Sequence, residues 1–489
     1  MKMIKKLSLL IVFGLVLIVV YVLYTTFSAT SRQIAVSAIE KPVLEPGVLK
    51  NFSEAIRIQT VSPENIEDFD SIQFAKFNNF LALTYPLTDS LLQHQIINNF
   101  SHLYFWQGSE TALEPIILMG HLDVVPVIDE NRKYWKQEPF EGAIVNDTLW
   151  GRGTMDDKVG VIGILESTEA LLKKGFQPKR SIYLAFGHDE EIGGVNGAKA
   201  IATHLKSMGV QATFILDEGG IISSGMVPGI EKDVALIGIA EKGSVSIQLS
   251  IEIEGGHSSM PGKETAIDAL SAAIYKLKSN PFPAFISPPI EGFLAYLGPE
   301  MSFVNRMAFA NAGLFEKMIV GVYEGSPSGN ALVRTTTSPT IFNSGVKDNI
   351  IPLTAKATVN FRIITGSSVA EVKERIRTVI DDDRILIDEG NFNTEPSKVS
   401  SFDAPGFSLI HQTIAEVYPE TLVSPYMVVA ATDARHFGEL SDQIYRFLPT
   451  KINKANVKSI HGLNERIAVT DYQTAIHFYT QLIKNASLQ

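Results

Sequence analysis

Pro115-Ile116-Ile117-Leu118-Met119-Gly120-His121-Leu122-Asp123 begins with an unbroken apolar run over residues 116–119, the pattern of a strand covered on both faces of an α/β sheet. Gly120 then frees the backbone. His121 and Asp123 follow at alternate positions, so in extended chain they project to the same side of the strand's carboxyl end, where open α/β sheets place their ligands. A neutral imidazole is a common metal ligand, and a carboxylate that accepts its other N–H fixes the tautomer. Taken alone, the same letters also describe a capped loop after a strand.

Acidic clusters recur behind further strand-like runs. Trp150-Gly-Arg-Gly-Thr-Met-Asp156-Asp157-Lys158 leads into a helical pattern that Gly175 stops; Asp156 sits at or just before the helix start, where an N-cap is the plain reading. Residues 181–186 read as a strand followed by Gly187-His188-Asp189-Glu190-Glu191, and residues 213–216 as another followed by Asp217-Glu218-Gly219-Gly220. Near the far end comes His461-Gly-Leu-Asn-Glu465. Ligand-type side chains on so many successive loops exceed what a solvated surface explains. The chain has no cysteine, which removes a disulfide framework and a thiolate nucleophile and leaves His and carboxylates as the metal donors.

In this order the motifs resemble the aminoacylase and carboxypeptidase family of di-zinc peptidases, closest to its branch of Gly-X carboxypeptidases (carboxypeptidase S) and N-fatty-acyl-amino-acid synthase/hydrolases. The resemblance covers roughly residues 45–485. It implies that Asp156 bridges two Zn2+ ions per subunit, that His121 and Glu218 complete one site, and that Glu191 and His461 complete the other. A shift of one residue would select Asp217 in place of Glu218. Asp123 is implied behind His121. Glu190 is implied as the general base that takes a proton from the attacking water and returns it to the leaving nitrogen. Adjacent side chains beyond a strand end point differently, which suits one glutamate to metal and its neighbour to substrate.

At 489 residues the chain exceeds what one core serves, so two domains are expected, and a net charge of −11 argues against nucleic acid. Lys2, Lys5 and Lys6 precede an uncharged stretch over residues 7–24, at the lower end of what spans a bilayer. The expectation is a signal anchor over 1–24 with the body on the non-cytoplasmic side, the alternative being a cleaved signal peptide and secretion. A linker over 25–47 follows, then the first part of a catalytic domain over 48–241.

From residue 242 the pattern changes. Val245-Ser-Ile-Gln-Leu-Ser-Ile-Glu-Ile-Glu254 alternates apolar and polar, the mark of a strand with one wet face in an antiparallel sheet. A helix over 263–277, a strand over 355–364, a helix over 368–381 and a strand over 385–389 complete an α+β insertion, set at 242–398, before the catalytic domain resumes at 399–489. The segment 281–328, rich in proline and aromatics and then helical, either lines an apolar channel or covers the lid sheet.

By the same resemblance the insertion is a lid and dimerisation domain. His257, in Gly255-Gly-His-Ser-Ser-Met-Pro261, matches a histidine that stabilises the oxyanion in a partner's site. Asn349 and Arg362 match lid residues that contact substrate, although Asn360 stands where relatives more often carry Asp. Arg435, in Ala431-Thr-Asp-Ala-Arg-His-Phe437, matches the residue that binds the substrate's free carboxylate, a task suited to a planar guanidinium. Hinges are expected near 241–244 and 397–400.

The resulting expectation is a mixed, mainly parallel α/β metallopeptidase with an inserted lid. It would cleave the amide bond to a C-terminal amino acid in short peptides, or alternatively in N-acyl amino acids, as a membrane-attached homodimer. A catalytically dead binding protein on this fold would lack a ligand or the base, and a multispan transporter component would need a second long apolar run; the sequence has neither feature.

Overall fold

The structure, a computed structural model, describes residues 2–487. The apolar run after Pro115 forms the strand Ile116–His121, buried along its whole length and pairing in parallel with Ile182–Gly187 on one side and Phe214–Asp217 on the other. These three strands form the middle of a ten-stranded mixed sheet. Beyond Ile182–Gly187 lies the antiparallel hairpin Gln93–Ile97 and Ser101–Trp106, and beyond Phe214–Asp217 lie Ile444–Arg446, Val234–Glu241, Ile221–Ser223 and Lys451–Ile452. Leu422–Val428 pairs in parallel with Val234–Glu241.

Both faces are covered, which is why the central strands carry no polar alternation. On one face Lys158–Lys173, Val469–Ala486 and Pro405–Val417 bury Val161, Leu165, Tyr472, Ile476, Phe407 and Ile414 in the largest core. On the other, Ala198–Ser207 and the turn Asp433–Phe437 bury Ile201, Leu205, Ala434 and Phe437. A small sheet of Ala143–Val145, Thr148–Trp150 and Arg466–Ala468 ties the chain's last motif to the loop that carries Asp156.

His411, on Pro405–Val417, is buried against Tyr296 and Phe407, and desolvation lowers its pKa to about 4. An unfolded histidine titrates near 6.5. Below that pH the unfolded chain takes up a proton that the folded chain refuses, so stability falls between about pH 6.5 and 4 and levels off below. Urea unfolding of His411→Leu should therefore lose less stability over that window than the parent, the difference being on the order of 3 kcal/mol. A gap between the two proteins that stays constant from pH 7 to 4 would contradict this.

The insertion forms a second core. Its antiparallel sheet runs Thr336–Ser344, Thr354–Ile363, Gly243–Glu252, Leu386–Thr394, with Ala266–Ser279 and Val369–Ile380 on one side only. Both helices begin with a capping box, Thr265 with Asp268 and Ser368 with Glu371, which sets the first of them to begin at Ala266 rather than at 263. The two crossings between the domains run side by side: Ser397 N donates to Glu241 O at 3.1 Å, and Ser400 N to Ile239 O at 2.8 Å.

One part of the expected lid at 242–398 belongs elsewhere. The helix Pro288–Leu297 packs on the strand Leu422–Val428, with Tyr296 in the main catalytic core and Leu297 against Val234, Leu236 and Leu422. The following helices Phe303–Ala310, Ala312–Glu324 and Pro327–Val333 continue from it. Only the start of the segment 281–328 touches the smaller sheet, where Phe282 packs on Phe361 with ring centroids 6.0 Å apart; its helices do not cover that sheet. An apolar face records that a helix is buried, not which sheet buries it.

Candidate metal centre

Parallel pairing aligns the ends of three neighbouring strands. His121 is opposite Gly187, and Leu118 is opposite Leu216, so the loops carrying His121, Glu190-Glu191 and Glu218 leave the sheet side by side at its carboxyl edge. Asp156 enters from the turn before Lys158–Lys173, and a cis peptide bond joins it to Asp157. Gly120 makes room for that turn: a Cβ there would lie 2.8 Å from Asp157 Oδ2.

These segments bring two groups of donors together around one carboxylate. His121 Nε2 is 3.0 Å from Asp156 Oδ1, and His461 Nε2 is 3.0 Å from Asp156 Oδ2 and 3.2 Å from Glu191 Oε2. Glu218 joins His121 and Asp156, so each group offers one His and two carboxylates with ligand atoms within 4.8 Å of one another. Of the two neighbours, Glu218 lies in the donor group, whereas Asp217 accepts Ala434 N at 2.7 Å. His461 stands in the left-handed region with φ 54°, and a Cβ on Gly462 would meet Lys458 O at 2.1 Å, so the tight turn presenting this imidazole requires the glycine.

Asp123 is fully buried and joins two parts of the site. Its Oδ1 is 3.3 Å from His121 Nδ1, while its two carboxylate oxygens each accept a backbone N–H, from Glu190 and Glu191, at 3.1 Å. It thus orients the first histidine and positions the glutamate loop.

Glu465 does comparable work that the sequence reading did not assign. Buried, it pairs with Arg152 at 2.5 Å and accepts backbone N–H bonds from Gly153, Met155 and Asp156 at 3.0, 2.9 and 3.3 Å. It fixes the turn that aims Asp156. Its place in the His461 motif was the available signal, but the pairing spans more than three hundred residues of sequence.

The electrostatics favour cations. Burial opposes protonated His121, yet Asp123 and Asp156 hold its pKa well above the usual value; bonds to Asp156 and then Glu191 raise His461 to about 10. Burial pushes Glu218 up, aided by Asp156 and Asp157, and likewise raises Glu191. Glu190 is also pushed well above the ordinary carboxylate range by burial and by Asp433, Glu191 and Asp123, with His121 opposing. Buried acids outnumber the bases that could balance them, and Glu191 Oε1 has no hydrogen-bond partner. Divalent cations coordinated by His and carboxylate would supply that missing charge, so the residues present fit a metal pair.

None of the substrate residues expected from the sequence belongs to either donor group. His257 is exposed on the smaller domain, where Ser259 N and Oγ bond its Nδ1, and Ser258 N donates to Asn349 O at 3.2 Å. These two expected lid residues therefore share one edge. Arg362 is opposite Ser244 next to the crossing, close enough to Lys242 to contribute to the lowering of that amine's pKa to about 7, which burial dominates. Arg435 lines a cleft of about 430 Å³ with Ser397, Lys398, His436 and Arg446, between the catalytic domain and the crossing segment.

Comparison with known proteins shows the family and the fold. The model of peptidase family M20/M25/M40 matches residues 117–485. A probable carboxypeptidase S-like protein of Dictyostelium discoideum is 42% identical over 89% of this chain and 84% of its own length. An N-fatty-acyl-amino acid synthase/hydrolase of Xenopus tropicalis is 42% identical over 88% and 84%. Among solved structures, a metallo-carboxypeptidase of Sulfolobus solfataricus superposes with a TM-score of 0.64 over 91% of this chain and all of its own, at 17% identity, a likeness of fold.

Proposed function

The chain belongs to the peptidase family M20/M25/M40, and from that premise we propose that it is a zinc-dependent hydrolase of the amide bond joining a C-terminal amino acid to the rest of its substrate. The observation that carries this reading is the single carboxylate of Asp156, with one oxygen against His121 and the other against His461. His121, Glu218 and Asp156 would hold one ion; Asp156, Glu191 and His461 would hold the other. When bound, the pair supplies Lewis acidity at the scissile carbonyl and lowers the pKa of the attacking water.

This chain's own groups account for the remaining work. Glu190 takes the water's proton and delivers it to the departing nitrogen, a transfer suited to a carboxyl whose affinity for protons is raised by burial. Asp123 keeps His121 in the tautomer that leaves Nε2 facing the site, and holds Glu190 by its backbone. Arg435 binds the substrate's free carboxylate through its planar fork. Closure of the smaller domain about the paired crossings brings Asn349 and Arg362 to the substrate. His257 supplies an oxyanion donor, in a homodimer from the second copy. The helix Lys2–Ser28, uncharged from residue 7 onward, anchors the enzyme in a membrane with its body on the non-cytoplasmic side, or else directs secretion.

Peptides are the first reading for the acyl side and N-fatty-acyl amino acids the second, since relatives of equal identity carry both names. Full-length protein in detergent, given a dipeptide panel and an N-acyl-amino-acid panel, should hydrolyse substrates with a free C-terminal carboxylate. It should lose that activity to a chelator and regain it with zinc. Turnover restricted to the N-acyl panel selects the second reading, and turnover that survives the chelator removes the metal mechanism.

A further inference from the structure

The helices that left the lid domain have a second property. Phe303–Ala310 and Asn311, which leads into Ala312–Glu324, pack against the end of the N-terminal helix: Asn311 Nδ2 bonds Val22 O and Thr26 Oγ1, each at 3.3 Å, Phe27 and Phe303 have ring centroids 5.8 Å apart, and Arg306 bonds Ala29 O. Val22 and Thr26 are buried by this contact, whereas the helix is otherwise almost bare.

The contact fixes a depth. The uncharged stretch over residues 7–24 is about 27 Å long at 1.5 Å per residue, close to the ~30 Å of a bilayer's hydrocarbon core. A bilayer covering it has its outer surface at the last turn, where Tyr24 and Phe27 are exposed as interfacial aromatics would be. Asn311 hydrogen-bonds to that same turn. Its helices therefore lie level with the headgroups. On Ala312–Glu324, Leu314, Met318 and Val322, spaced by four, are each more than half exposed, and Phe303 and Val304 are exposed on the preceding helix. Isolated apolar residues on a surface are ordinary; five on adjoining helices, continuous with a candidate membrane span, mark an interaction face.

We propose that the helices Phe303–Ala310 and Ala312–Glu324 form a second membrane contact, seated through Phe303, Val304, Leu314, Met318 and Val322 in the interfacial layer of a phospholipid bilayer beside the N-terminal helix. This rests on the proposed anchor. The face holds the catalytic domain against the surface, so the anchor is not a loose tether.

The absence of cysteine allows clean single-site labelling of the full chain. Met318→Cys, Leu314→Cys and Val322→Cys, each carrying an environment-sensitive fluorophore, are compared in phosphatidylcholine vesicles containing spin-labelled lipid. Val12→Cys reports the span and Tyr275→Cys, exposed on the smaller domain, is the control. Lipid quenching at 314, 318 and 322 severalfold above that at 275, together with quenching at 12, is the expected result. Quenching at 12 alone overturns the second contact and leaves the anchor standing. No quenching at 12 or at the helices removes both. Water-shielded emission at 318 without lipid quenching assigns the face to a second copy of the chain and overturns the lipid assignment.

Discussion

Glu190→Gln should leave a protein that still holds its metal but turns over between about 10²- and 10⁴-fold more slowly, the range that a positioned proton carrier contributes. The amide keeps the size of the side chain and the backbone bond from residue 190 to Asp123, so the loop stays in place. What disappears is the carboxylate that accepts the water's proton. Metal content should be unchanged because Glu190 belongs to neither donor group, whereas its neighbour Glu191 lies 3.2 Å from His461. Side-by-side kcat and metal content decide the matter. Loss of metal along with activity would mean that the two glutamates exchange roles, and retained activity would remove Glu190 as the base.

Glu465→Ala should be the most damaging substitution outside the donor groups. It strands the Arg152 guanidinium in the interior, and loss of one partner of a buried ion pair costs about 3–5 kcal/mol. It also withdraws the acceptor shared by the N–H groups of Gly153, Met155 and Asp156, so the carboxylate common to both groups loses its support. Denaturant unfolding should show the stability loss, and metal titration should show weaker binding. Glu465→Gln should recover part of the metal affinity, because an amide oxygen can still accept the backbone bonds, and less of the stability, because Arg152 keeps its bond to Gly462 O but loses its counter-charge. A Glu465→Ala protein with parental metal affinity would show that the turn does not depend on this residue.

Glu465 also illustrates what a sequence conceals. The strand over 116–119 and the acidic clusters behind its neighbours were legible because burial on both faces and a glycine-flanked acidic turn leave local signatures. The family resemblance then ordered the clusters. A one-residue slip turns a side chain to the opposite face, so only the resemblance favours Glu218 over Asp217 in the sequence, whereas the structure shows Asp217 bonded to Ala434 N. The edge strand Thr336–Ser344 was missed because its residues are mostly exposed and Pro339 interrupts the ladder, a residue tolerated there because the strand lies at the sheet's edge. The stretch 303–320 reads as helical and apolar, but the helix Pro288–Leu297 hides behind its prolines, and the partner of neither is legible, since periodicity carries no address.

A cation pair shared by Asp156 is the centre of the proposed chemistry. Anomalous diffraction from crystals of the zinc-loaded protein measures this directly. Two peaks flanking the carboxylate of Asp156, about 3.5–4 Å apart, with one beside His121 and Glu218 and the other beside Glu191 and His461, are predicted. A single peak, or a pair that leaves Asp156 outside its coordination, would contradict it.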